Sequence, residues 1–388
     1  MKIVFASNYY NHHQKPFSEA MYSLTDGQYH FIQTVPMEEE RRNMCWGEDL
    51  PPFVMESYKD EESYKECLKI INEADVLITG SAPEKIIHSR IAKGKLTFRY
   101  SERIFKAKGS KLKLPLTAVK QRVRNFPGKN VYLLCASAFS ARDFALAGLF
   151  NGTAYKWGYF PEVKKYDDVA FLINKKRKAS ILWVARLIGL KHPNASILVA
   201  ERLMKEGHDF HLDIIGVGPL EGELKAAIKE KGLENHVSML GAMKPEEVRK
   251  YMEESSIFLF TSDFNEGWGA VLNESMNSGC AVVASHAIGS VPFLMDDGVN
   301  GLIYKNGDID DLYNKTKWLL DNPDKAAEMG ERAYETLRDT WNAEVAAERL
   351  IKMSESILKG EPVNDMFADG PCSKTKKLKN NWYKGGMK

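Results

Sequence analysis

Two glutamates, Glu266 and Glu274, stand eight positions apart around the run Gly267-Trp268-Gly269-Ala270-Val271-Leu272. A carboxylate on each side of such a turn can hold sugar and ribose hydroxyls by charge-assisted hydrogen bonds. Gly267 and Gly269 leave room for a ligand against the backbone. The spacing predicts that Glu274 lies about two turns into a helix, whose first amides point at the bound group and whose dipole favours a phosphate. Read singly, the pair is also a glutamate at a helix start and a solvated one within it.

Upstream, Arg186 and Lys191 follow the apolar run Ser180-Ile181-Leu182-Trp183-Val184. Two cations beside a turn suit a diphosphate, arginine as a forked donor and lysine as a point charge. Taken in isolation, they are two solvated surface charges. The run Leu212–Gly216 ends in Gly216-Val217-Gly218-Pro219 and opens a helical stretch at Glu221–Lys231. Glycines there permit a tight turn and close backbone approach, although they punctuate most strand–helix turns. Asp308-Ile309-Asp310 follows Gly307 at the start of a helical pattern, which reads as N-terminal capping rather than metal binding.

These residues need elements that bring them together. Short apolar runs alternate with amphipathic stretches, the pattern of parallel sheets with crossover helices. In the first half, Lys2–Ser7, Asp75–Thr79, Leu96–Tyr100 and Val131–Cys135 read as strands. Near Tyr159–Glu162 the pattern loosens into a polar stretch at Lys164–Lys178, which places a domain boundary there. A second series of five strands follows, with runs beginning at Ser180, Leu212, Val237, Ile257 and Ala281. Ligands in such sheets sit beyond the carboxyl ends of the strands, where all four charged residues fall.

At 388 residues, two domains are expected. Hydrophobic residues make up 44% and charged residues 27%, the composition of a globular protein. A net charge of +2, from 54 basic and 52 acidic residues, argues against a nucleic-acid partner. Cys45, Cys67, Cys135, Cys280 and Cys372 show no paired spacing, which predicts free thiols in a reducing cytoplasm. The opening residues are too short an apolar run for a signal peptide, and no stretch approaches the roughly 20 apolar residues of a membrane span.

The Glu266/Glu274 pair with the intervening Gly-Trp-Gly resembles the E-x7-E signature of glycosyltransferase family 4, retaining enzymes of the GT-B fold. Arg186 and Lys191, Gly216-Val217-Gly218-Pro219-Leu220, Gly289 and Asp297-Gly298-Val299-Asn300-Gly301-Leu302 fall in that family's order over roughly 180–320. The resemblance implies that Glu274 binds ribose hydroxyls and Glu266 the transferred sugar. It implies that Arg186 and Lys191 neutralise the leaving diphosphate, and that no metal or other cofactor is needed. The donor is then a nucleoside-diphosphate sugar, with UDP expected. The acceptor is a glycan or lipid-linked glycan, since such bacterial enzymes often build surface polysaccharides.

The first half departs from the family's pattern. Asn8-Tyr9-Tyr10-Asn11-His12-His13-Gln14 stands where many members have a Gly-Gly turn. The strand Leu96–Tyr100 ends in Ser101-Glu102-Arg103 without the family's histidine. His12, His13 and Glu102 are therefore the acceptor-side candidates.

The expected architecture is two doubly wound Rossmann-like domains facing a central cleft. Residues 1–165 form an acceptor domain and 166–340 a donor domain. Residues 341–388 form a helix packing back toward the first domain, followed by a basic tail. Two other readings share this architecture: a non-hydrolysing sugar-nucleotide epimerase, and a nucleotide-sugar-binding protein without transfer activity. The tail carries Lys374, Lys376, Lys377, Lys379, Lys384 and Lys388 with Leu378, Trp382 and Tyr383. It reads either as a mobile end or as a contact with an anionic membrane at its inner face. The basic stretch Lys106–Lys129 reads as a surface helix with flanking loops.

Overall fold

The computed structural model describes residues 1–38, 50–106, 114–125 and 129–385. The chain forms two compact units, Met1–Glu162 with Trp341–Lys379, and Val163–Thr340 with Asn380–Lys388.

In the first unit β1 (Ile3–Ser7) leads through α1 (Lys15–Leu24) to β2 (Tyr29–Gln33) and β3 (Val54–Glu56). There follow α2 (Glu61–Glu73), β4 (Val76–Thr79), α3 (Glu84–Ala92) and β5 (Thr97–Ser101). The series ends with α4 (Leu114–Asn125), β6 (Val131–Cys135), α5 (Ser140–Leu146) and β7 (Ala154–Lys156). The sheet order is β3-β2-β1-β4-β5-β6-β7, and each neighbouring pair is parallel. β1 and β4 are buried along their whole length, which is why they read as unbroken apolar runs. The order reverses between β1 and β4, so loops at their carboxyl ends diverge and leave a crevice.

The second unit contains α6 (Val169–Asn174), β8 (Arg177–Val184), α7 (Pro193–Lys205), β9 (His211–Ile215), α8 (Glu221–Glu230) and β10 (Val237–Gly241). It continues with α9 (Pro245–Glu254), β11 (Ser255–Phe260), α10 (Val271–Asn277), β12 (Ala281–Ser285), α11 (Val291–Leu294) and β13 (Leu302–Tyr304). Helices α12 (Ile309–Asp321) and α13 (Pro323–Asp339) complete it. The parallel order is β10-β9-β8-β11-β12-β13, with the switch between β8 and β11. The sequence predicts five strands here and the structure has a sixth, β13. It is only three residues long, too short to give a pattern. The turn before it places it: the Ile303 amide donates to Asp297 Oδ1 at 2.7 Å, and at Gly301 a Cβ would come within 2.9 Å of the Val282 carbonyl. So Asp297–Gly301 is first of all a structural turn.

α14 (Ala343–Lys359), capped by Asn342 Oδ1 on the Val345 amide at 2.9 Å, packs on α1 within the first unit. The tail departs from the expected free basic end. Its residues 372–373 pair with the exposed edge of β7, Cys372 and Ser373 exchanging backbone hydrogen bonds with Lys156 at 2.9 and 2.8 Å. Trp382 and Tyr383 are half-buried in the second unit, where the indole donates to the His286 carbonyl at 3.0 Å and the phenol to Asp297 Oδ2 at 3.1 Å. An unpaired strand edge offers hydrogen-bonding groups, and the tail supplies their partners. Cys67, Cys135, Cys280 and Cys372 are buried free thiols; Cys45 lies outside the described residues. Among the described residues no helix is long and apolar enough to cross a membrane.

Candidate functional site

In the second unit the site grows from the ends of β8 and β11. Beyond β8 the chain runs beside the segment after β9: the Leu187 amide donates to the Val217 carbonyl at 2.9 Å. Gly216 and Gly218 are required by this approach. Gly216 has φ +139°, and its Cβ would come 1.9 Å from the Ala185 carbonyl oxygen; that of Gly218 would come 2.5 Å from the Leu187 oxygen. The glycines make room for neighbouring backbone, the tight turn and close approach that the sequence suggested. Pro219 follows them at the entrance to α8.

A single helical turn, Gly189–Lys191, follows. Thr261, just past β11, fastens it by donating Oγ1–H to the Lys191 carbonyl at 2.6 Å, and itself accepts from the Trp183 indole at 2.8 Å. Asp263 shapes the next loop: its amide donates to the Leu190 carbonyl at 3.0 Å, its Oδ1 accepts from the Asn265 amide at 2.8 Å, and its Oδ2 lies 3.2 Å from His192 Nε2. This lattice delivers Lys191 Nζ onto Glu266 Oε2, an ion pair whose side chains are 15% and 13% exposed. Arg186 is exposed on the same strand end. Among the described residues it has no ion-pair partner.

Glu274 sits in the first turn of α10, since the helix begins at Val271; the expectation of two turns is corrected. Gly269 explains the late start. Its φ is +82°, and a Cβ there would come 2.4 Å from the Phe260 ring, so the chain turns sharply before helix geometry begins. Burial pushes the Glu274 carboxyl up, with the positive charge of Arg249 acting in the opposite direction. Arg249, on α9, also donates to Asn277 Oδ1 at 2.8 Å, tying α9 to the far end of α10.

Trp268, predicted as a donor contact, is fully buried, and its indole donates to Asn273 Oδ1 at 2.8 Å. Leu272 is equally buried. Both side chains belong to the core, and Gly267, Ala270 and Val271 form the turn that leads into α10. Asp308 caps α12 by accepting from the Asp311 amide at 3.0 Å. The structure therefore brings Lys191 and Glu266 into contact and leaves Arg186 apart on the surface.

In the first unit His12 and His13 follow β1, their rings 3.9 Å apart, and the His13 amide donates to Asn11 Oδ1 at 2.9 Å. Glu102 follows β5 and accepts from the Tyr159 phenol at 2.7 Å while pairing with Lys106. Tyr159 lies within 6.2 Å of the His13 ring and 5.8 Å of Tyr100. Burial pushes both phenols well above the usual range. His13 and Tyr159 thus line one depression, whose wall includes Tyr100, Trp157 and Phe160, and Glu102 is joined to it through the Tyr159 phenol. The aromatic wall was not legible in the sequence, where Tyr159–Glu162 reads as the loosening of pattern before a domain boundary. The density of aromatics just before Pro161 was the available signal.

Residues 166–336 match the family described as Glycosyl transferases group 1. The chain is 37% identical over 133 residues to the amylovoran biosynthesis glycosyltransferase AmsK of Erwinia amylovora, 33% of this chain and 32% of that protein. It is 27% identical over 173 residues to the poly(ribitol-phosphate) alpha-N-acetylglucosaminyltransferase of Staphylococcus aureus, 45% of this chain and 34% of that one. The chain thus spans about a third of the length of these curated relatives. Among solved structures, Anabaena Alr3699/HepE in complex with UDP matches with TM-score 0.68 at 17% identity, over 92% of this chain and all of that one. The fold is thus of the GT-B class, and residues 166–336, within its second unit, are similar to group 1 glycosyl transferases.

Proposed function

We propose that this protein transfers a sugar from a UDP-sugar to a glycan or lipid-linked glycan, with retention of anomeric configuration and without a metal. The observation that carries this reading is the Lys191–Glu266 contact. The two residues are 75 positions apart and converge from different strand ends at the β8/β11 switch point, within the segment that matches the glycosyltransferase family. The UDP complex of the Anabaena protein supports uridine as the base. The amylovoran enzyme's name supports a polysaccharide product, and a lipid-linked acceptor puts the reaction at the inner face of a membrane.

In this reading the donor separates the ion pair. Glu266 accepts hydrogen bonds from hydroxyls of the transferred sugar, and Lys191, with Arg186, turns to the diphosphate. As the glycosidic bond breaks, negative charge grows on the leaving phosphate, where fixed cations stabilise the transition state more than the ground state. The leaving phosphate oxygen takes the proton of the attacking acceptor hydroxyl. Glu274 accepts from the ribose hydroxyls. In the first unit, His12, His13 and Glu102 with Tyr159 face the acceptor.

Incubation with a panel of UDP-sugars and a lipid-linked acceptor, in EDTA, tests the reading by NMR of the product. Transfer with the donor's anomeric configuration kept is expected. An inverted product refutes the retaining mechanism. A requirement for added manganese or magnesium refutes the metal-free one. Epimerised donor formed without acceptor favours the epimerase.

A further inference from the structure

Helix α4 is inverted in polarity. Gln121 and Asn125 are buried against the protein, with Asn125 Nδ2 donating to the Gln121 backbone carbonyl at 2.7 Å, and Arg124 pairs with Glu84. On the opposite face Leu116, Val119 and Val123 are 76%, 63% and 66% exposed, the three most exposed large hydrophobic side chains among the described residues. Their spacing of three and four places them on one stripe. At 100° per residue, Lys120 falls on one flank of that stripe and Arg122 on the other, and both are exposed. The helix contains no acidic residue, nor does the whole stretch from Lys106 to Lys129.

We propose that this face of α4 docks on the surface of an anionic lipid bilayer. The aliphatic stripe would enter the boundary between headgroups and acyl chains, as interfacial helices do. Lys120 would lie level with the phosphates, where a cation gains from the negative surface potential, while Arg122, whose Nε–H donates to the Ala147 carbonyl at 3.1 Å, adds positive charge from the other flank. A protein partner fits less well. Three aliphatic side chains fall far short of the roughly 800 Å² per partner of a stable interface, and interface cores are depleted of lysine. The tail, whose basic and aromatic residues also read as a membrane contact, has its Trp382 and Tyr383 engaged within the second unit. The proposal goes beyond sugar transfer and does not depend on it.

The test is co-sedimentation of the full chain with phosphatidylcholine vesicles, alone and with phosphatidylglycerol added, at low and high salt. Binding to the phosphatidylglycerol vesicles, weakened by salt, is expected. The triple variant Leu116→Gln, Val119→Gln, Val123→Gln keeps good helix formers at exposed positions, so its melting temperature should match the wild type. Its partitioning should fall by about tenfold or more, because interfacial binding scales with buried apolar area. Lys120→Gln should flatten the salt dependence. Replacing the exposed tail lysines Lys376, Lys377 and Lys379 by glutamine should leave partitioning unchanged. Wild-type protein that sediments with neither vesicle, a triple variant that binds like wild type, or binding abolished by the tail substitutions overturns the proposal. So does a wild-type dimer dissolved by the triple variant, which would make the face an interface between copies.

Discussion

The carboxyl ends of the two sheets carry different chemistry on the same topology. In the second unit the loops after β8, β9 and β11 hold glycines, two cations and two carboxylates, set by close backbone contacts at Gly216, Gly218 and Gly269. In the first unit the loops after β1, β5 and β7 hold His13, Glu102 and Tyr159 among stacked aromatics, and their geometry comes from side-chain packing. A diphosphate has fixed charge and shape, which backbone and cations can fit closely. A saccharide offers apolar ring faces and hydroxyls, which aromatics and a carboxylate can fit in many arrangements. With the donor assigned to the second unit and the acceptor to the first, as proposed, one region is written in short motifs and the other is dispersed.

That contrast can be broken, starting where the effect is largest. Lys191→Ala should lower kcat by about 10²–10³-fold, the usual loss on removing one transition-state stabiliser, with a smaller change in UDP-sugar KM. Steady-state kinetics with wild-type kcat would remove Lys191 from the leaving-group role. Glu274→Ala should weaken free UDP by about 2–3 kcal/mol, through loss of a charged acceptor for two hydroxyls. Calorimetric titration showing an unchanged Kd would sink the ribose assignment.

Glu274→Gln sharpens the same point through pH. Burial raises the carboxyl of Glu274, so the folded protein holds its proton more tightly than the unfolded chain does. Native stability then falls as pH rises from the ordinary carboxylate range through the raised value. The glutamine variant should melt higher than wild type at neutral pH and lose that advantage in acid, while binding UDP less well. Thermal melts in which the variant has no advantage at neutral pH, or keeps the same advantage in acid, would contradict this.

Smaller effects separate scaffold from ligand. Trp268→Phe removes the donor to Asn273 Oδ1 in a buried setting, which should cost about 1–3 kcal/mol of stability and leave UDP affinity unchanged. A weakened Kd in fully folded variant would return the indole to the donor site. Tyr159→Phe should raise acceptor KM by roughly 3–10-fold, the loss of one hydrogen bond of about 1 kcal/mol, with UDP binding untouched. If it instead weakens UDP, the division of labour between the two units is wrong.

The alternation of apolar runs and helical stretches was legible because strands buried on both faces must be apolar along most of their length, as β4, β11 and β12 are away from their ends. The glycine and carboxylate motif was legible because its spacing is local: Glu266, Gly269 and Glu274 lie within one strand–turn–helix. Their types suit a tight turn and, in the proposed function, a polyhydroxyl ligand. Tertiary structure alone decided that Lys191 meets Glu266, that Trp268 is core, that Tyr159 closes on Glu102, and that the basic tail folds onto β7 and His286. Each of these joins residues distant in sequence or sets which way a side chain turns at a bend. Such outcomes depend on strand order and on which surface lacks a partner, and no periodicity in a single chain encodes either.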